Sequence, residues 1–78
     1  MPTILRKAGF RFFFFSNEGN EPPHIHVEKG DGAAKYWLTP VKKAYIYNLT
    51  SSEIKRMERI INNNQEFFKN KWYEYFGY

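Results

Sequence analysis

His24 and His26, the only two histidines of the chain, stand on alternate positions in the stretch EPPHIHVEK, residues 21–29. On a strand, residues two apart leave the same face, so both imidazoles can reach one point. Histidine changes charge near neutral pH, which opens two chemistries. The pair can share a metal ion, or act as base and acid in a metal-independent RNA cleavage, with Arg11, Lys29 or Lys35 meeting a phosphate. The third reading is structural: the two rings form the polar face of a half-buried sheet, with His26 stacked on Trp37. The spacing weighs against metal. Glu28 shares the face but lies about 13 Å from His24 along a strand. A third ligand would have to come from a loop, from Glu18, Glu21 or Asp31, and no cysteine is present. No metal and no cofactor are therefore expected. A histidine-triad hydrolase would carry a third histidine where Glu28 stands, and a cupin places its glutamate further on in a longer barrel.

The flanking sequence says what must hold these residues. HIHVEK alternates, with Ile25 and Val27 on one face and His24, His26 and Glu28 on the other. Pro22 and Pro23 lack the N–H a sheet ladder needs, so NEGNEPP reads as a loop. Gly-Asp-Gly, residues 30–32, is a hairpin signal. With Asp31 and Gly32 central, Val27 faces Tyr36, Glu28 faces Lys35 and His26 faces Trp37. Upstream, FRFFFFS is a strand with apolar residues on both faces: Phe10, Phe12 and Phe14 on one, Arg11, Phe13 and Phe15 on the other. VKKAYIYN, after Pro40, is a further strand.

From Thr50 the period changes to that of a helix. Thr50 and Glu53 form a capping box, and Leu49 and Ile54 a hydrophobic staple. Ile54, Met57, Ile61, Phe68, Trp72 and Phe76 make an apolar stripe, and Gly77 suits the C-terminal cap. Asn62-Asn63-Asn64 is poor helix material and marks a place for a bend.

The chain is one domain of 78 residues, with net charge +4 and no cysteine. That charge suits nucleic acid or ordinary solubility equally. No apolar run is long enough to span a membrane, and the start lacks the apolar core of a signal peptide, so a cytoplasmic location is expected. Sixteen aromatic residues, eight Phe, six Tyr and two Trp, exceed what a small core holds comfortably. Self-association or a partner is expected at Trp72, Tyr75, Phe76 and Tyr78 together with an outward face of the Phe-rich strand, with a homodimer as the simplest closed form.

PTI at the start, GFRFFFFSNEGNEPPHIHVEKGDGAAKYWL and the terminal WYEYF together resemble the domain-of-unknown-function family number 4160. Glu21, Pro22, Pro23, His24 and His26 carry the most distinctive segment, and Ala34 to Leu38 the next. The resemblance implies no activity. It does imply a setting: such genes resemble members of two-gene, toxin–antitoxin-like pairs in bacteria, often beside a small protein of family number 2442. It makes His24 and His26 the residues to test without giving them a role.

The expected fold is α+β, an antiparallel sheet of three to four strands with one long C-terminal helix across one face. The expected function is a protein–protein interaction module of such a pair. The alternatives are a nuclease using His24 and His26, with Arg11, Glu28, Lys35 and Trp37 around its substrate, or a nucleic-acid-binding regulator.

Overall fold

The computed structural model describes residues 3–77. Five strands, β1 (Thr3–Lys7), β2 (Phe10–Phe13), β3 (His24–Lys29), β4 (Gly32–Leu38) and β5 (Val41–Tyr47), precede two helices, α1 (Ser51–Asn63) and α2 (Gln65–Phe76). The strands form one antiparallel sheet in chain order, so each pairs with its sequence neighbours. The class is α+β as expected, with five strands rather than three to four.

The additional strand is β1. Lys7 pairs with Phe10 across a two-residue turn, and both turn residues, Ala8 (φ 55°) and Gly9 (φ 84°), are left-handed. A type I′ turn asks for this, but it is signalled by Asn-Gly or Asp-Gly, not by alanine.

The β3–β4 hairpin turns one residue earlier than its Gly-Asp-Gly sequence predicts. Lys29 pairs with Gly32, so Gly30 and Asp31 are central, and Val27 faces Ala34, His26 faces Lys35 and His24 faces Trp37. The expected pairs His26–Trp37, Glu28–Lys35 and Val27–Tyr36 are each displaced by two residues, which preserves the faces. Two local facts favour this register. Gly30 holds φ 57° at the first central position, where a type II′ turn places glycine. Gly32 is needed inside β4, because a Cβ there would lie 2.4 Å from Leu49 Cδ2 and 2.5 Å from the Asn48 carbonyl oxygen.

The capping box at α1 is formed. The Glu53 N–H donates to Thr50 Oγ1 at 3.1 Å, and the Thr50 N–H donates to Glu53 Oε1 at 2.9 Å. Thr50→Ala should cost about 1 kcal/mol through the lost cap. Urea unfolding with an unshifted midpoint would count against that contribution.

The single long helix is interrupted. Asn64 (φ −117°, ψ 18°) ends α1, and its N–H and side-chain Nδ2 both return to the Ile60 carbonyl. An unbroken helix from 51 to 76 would run about 39 Å, longer than the 34 Å greatest extent of the fold. The break keeps both halves on the sheet, and Gln65 Nε2 anchors the start of α2 by donating to the Leu38 carbonyl at 2.6 Å.

Both helices cover one sheet face. Met57, Ile60, Ile61, Phe68 and Trp72 pack with Phe10, Phe12, Phe14, Ile25, Val27, Ala34, Tyr36 and Leu38. The opposite face carries Arg11, Phe13, His26, Glu28, Lys35 and Trp37. Among the described residues no helix covers it, and the loop from residue 14 to 23 folds over one end. Among the described residues no helix is long and apolar enough to cross a membrane.

Candidate functional site

The loop and the start of β3 build a compact polar centre. Pro22 and Pro23 keep the chain out of the ladder until His24, the first residue of β3. The Leu38 N–H donates to the Pro23 carbonyl at 3.0 Å and holds this entry in place. The Glu21 N–H donates to the Glu18 carbonyl at 3.1 Å, closing a turn that folds Glu18 back toward β3. Gly19 backs directly on the Phe76 ring, whose Cδ1 would lie 2.6 Å from an added Cβ.

Glu18 Oε1 then lies 2.8 Å from His24 Nε2 and 2.8 Å from His26 Nε2. One ligand atom from each of the three residues falls within 4.8 Å of the others. His24 is fully buried and His26 is 5% exposed, while the Glu18 side chain keeps 17% of its surface. The second nitrogen of His24, Nδ1, lies 2.9 Å from the Pro22 carbonyl. A carbonyl only accepts, so Nδ1 carries the proton of that bond. Glu21 stands 4.0 Å from the same Nδ1 and pairs with Lys35 at 2.9 Å.

Aromatic rings wall the centre. His26 lies parallel to Phe13, 5.6 Å between centroids, and edge-on to Phe15 at 4.5 Å. Its expected stacking partner, Trp37, instead meets His24 edge-on at 5.5 Å, and Lys35 Nζ lies 4.5 Å over the Trp37 ring. The other side of His24 rests on Trp72, 4.7 Å away.

This environment sets the charges. Burial pushes the His26 imidazole below its ordinary range and outweighs the opposing pull of Glu18. For Glu18, partial burial favours the neutral acid, but its close contacts with His24 and His26 prevail and hold the carboxyl low. Both directions agree with an ionised Glu18 accepting from a neutral His26. The consequence for stability has a definite sign. A lowered folded value means the unfolded chain takes up the proton first. The His26 contribution is therefore complete above its unfolded value of 6.5 and is lost as pH falls toward the folded one. That of Glu18 is complete above 4.5 and lost below it. In the presence of chelator, Tm should begin to fall between about pH 7 and pH 5, before ordinary carboxylates titrate. A Tm flat over that interval would show that His26 is not held neutral.

Of the residues singled out in the sequence, His24, His26, Lys35 and Trp37 come together here. Arg11 and Glu28 do not. They pair with each other at 2.8 Å, with Arg11 also on Thr3 Oγ1 and 4.3 Å over Phe13. Trp72 is fully enclosed by its own chain, so it does not belong to the exposed aromatic surface expected at that end of the helix. Tyr75 is 44% exposed, and Phe76 is half-buried between Trp72 and Tyr75. Tyr78 lies outside the described residues. The expectation of no metal rested on a missing third ligand. Glu18 stands in that position, whereas Glu28 is turned to Arg11. Glu18 was visible in the sequence only as one of three acidic loop residues, since nothing in NEGNEPP fixes the fold of the loop.

An antiparallel five-stranded meander backed by two consecutive helices, with a buried Glu–His–His centre where the β2–β3 loop meets β3, defines a small α+β domain with one concentrated polar site. The chain belongs to the domain-of-unknown-function family DUF4160, whose model matches residues 9–73 and so spans the sheet from β2 onward, the centre and most of α2. No curated protein and no solved structure matches it.

Proposed function

We propose that this domain is a protein–protein interaction module, one member of a toxin–antitoxin-like pair. The observation that carries the reading is the edge strand β5. It is seven residues long, pairs among the described residues only with β4, and leaves Lys42, Lys43, Ala44, Tyr45 and Tyr47 in solvent. Tyr45 is 46% and Tyr47 66% exposed. An edge of this length with large rings on it is a template for strand addition. The lysines at its start favour an acidic partner strand and discourage pairing with a second β5 of the same charge.

The test is co-expression with the product of the neighbouring gene. Capture of that protein by the intact domain should be lost in the Tyr45→Ser/Tyr47→Ser double variant. Both sites are exposed, so stability should change by less than about 1 kcal/mol. No capture by the intact domain, or undiminished capture by the variant, would reject the reading.

The nuclease alternative draws on the convergence of His24, His26 and Glu18. Its difficulty is access. Both Nε2 atoms face Glu18, and a phosphodiester would have to displace that carboxylate to reach them. Burial of both rings therefore places this reading second.

A further inference from the structure

We propose that Glu18, His24 and His26 bind a divalent first-row transition-metal ion through Nε2 of each imidazole and a carboxylate oxygen of Glu18.

The argument starts from lone pairs. His24 Nδ1 has its proton committed to the Pro22 carbonyl at 2.9 Å. A neutral His24 therefore turns the bare lone pair of Nε2 toward Glu18 Oε1, 2.8 Å away. Two lone pairs at that distance repel unless a proton or a cation lies between them. His26 Nε2 converges on the same oxygen, also at 2.8 Å; binding the ion there moves the ring proton of His26 to its Nδ1. Three donor atoms thus face a common point in a site where His24 is fully buried.

The surroundings are those of a ligand set. A metal-bound histidine usually donates its second ring N–H to a carbonyl or carboxylate, which fixes the tautomer that offers its lone pair. The Pro22 carbonyl does this for His24, with Glu21 a further 4.0 Å contact held by Lys35. Loop and strand divide the task. His24 and His26 are set by β3, while Glu18 comes from the loop and has room to adjust. That adjustment is required. With metal–nitrogen distances of about 2.1 Å, neighbouring ligands in a tetrahedral site sit about 3.4 Å apart. The present 2.8 Å contacts must therefore open by roughly 0.6 Å. Two imidazoles and one carboxylate suit ions of the iron-to-zinc series over magnesium or calcium. Three protein ligands would also leave a coordination position open.

The experiment uses the untagged, chelator-treated chain and adds Co²⁺, Zn²⁺ or Mg²⁺ alone. We expect one Co²⁺ per chain, with visible d–d absorption displaced by Zn²⁺, and a Tm raised by about 5 °C or more at saturating Zn²⁺. Mg²⁺ should produce neither effect. Glu18→Gln, at a partly exposed site, should keep the fold by circular dichroism and weaken Zn²⁺ at least about 10-fold, and His26→Ala should weaken it further. Glu28→Gln, on the same sheet face but paired to Arg11, should leave affinity unchanged. The proposal is overturned if excess Zn²⁺ leaves Tm and the Co²⁺ spectrum unaltered. It is equally overturned if folded Glu18→Gln binds as tightly as the parent, since the Glu18 carboxylate would then not be a ligand.

Discussion

Trp72→Ala should lower stability by about 3–5 kcal/mol, the range for removing a fully buried large aromatic. A domain of this size has only some 4–12 kcal/mol in total, so much of the population should be unfolded in mild denaturant. Trp72 joins α2 to what lies beneath it, with Phe14 edge-on at 5.2 Å and His24 at 4.7 Å, and it lies 4.2 Å from Phe76 of its own helix. Among the described residues its indole N–H has no hydrogen-bond partner. A buried donor without a partner contributes a cost and no compensating bond. Trp72→Phe, which removes that donor and keeps most of the ring, should therefore be much milder than the alanine change. Urea midpoints for the two variants decide the matter. Equal losses would mean that the indole N–H has a partner after all, and no loss in Trp72→Ala would mean that the ring is not a keystone.

Gly32→Val should be the second severe change, at about 1–3 kcal/mol or more. The cause is not backbone conformation. A Cβ at this position would meet the Asn48 carbonyl oxygen at 2.5 Å and Leu49 Cδ2 at 2.4 Å. The leucine can move, but the carbonyl belongs to Asn48, itself left-handed at φ 57° in the connection from β5 to α1. Displacing that connection pulls on Thr50 and its capping box. Gly32→Ala should show the same direction with a smaller size. An alanine variant as stable as the parent would mean that the connection yields easily. Asp31→Gly, in the adjacent turn but free of this contact, is the control.

How far these features could be read from residues alone depended on where their physics is local. Thr50 and Glu53 define a cap within four residues, so the start of α1 was legible to the residue. The alternation of Ile25 and Val27 against His24 and His26 gave the correct faces. The hairpin register was not legible. Gly30-Asp31-Gly32 offers two turns, and the choice is made by Asn48 and Leu49 crossing over Gly32 from some sixteen positions downstream. β1 escaped notice because its turn uses Ala8 in a conformation that alanine disfavours. In the centre, the two histidines stood out and the carboxylate did not. A strand has a fixed rise and makes Glu28 measurable, whereas a loop has none, so Glu18 could not be ranked above Glu21 or Asp31.

The order of elements along the chain has a consequence during synthesis. All five strands leave the ribosome before either helix, and hairpins close in about 1–10 μs. At roughly 5–20 residues per second, the 26 residues that follow take about 1–5 s to appear. Through that interval a sheet with Phe10, Phe12, Ile25, Val27 and Leu38 on one side has nothing of its own to cover them. The nascent chain is then a half-sandwich with an uncovered apolar face. A chain ended after Leu49 should accordingly bind a hydrophobic dye and aggregate at micromolar concentration, where the full chain stays dispersed.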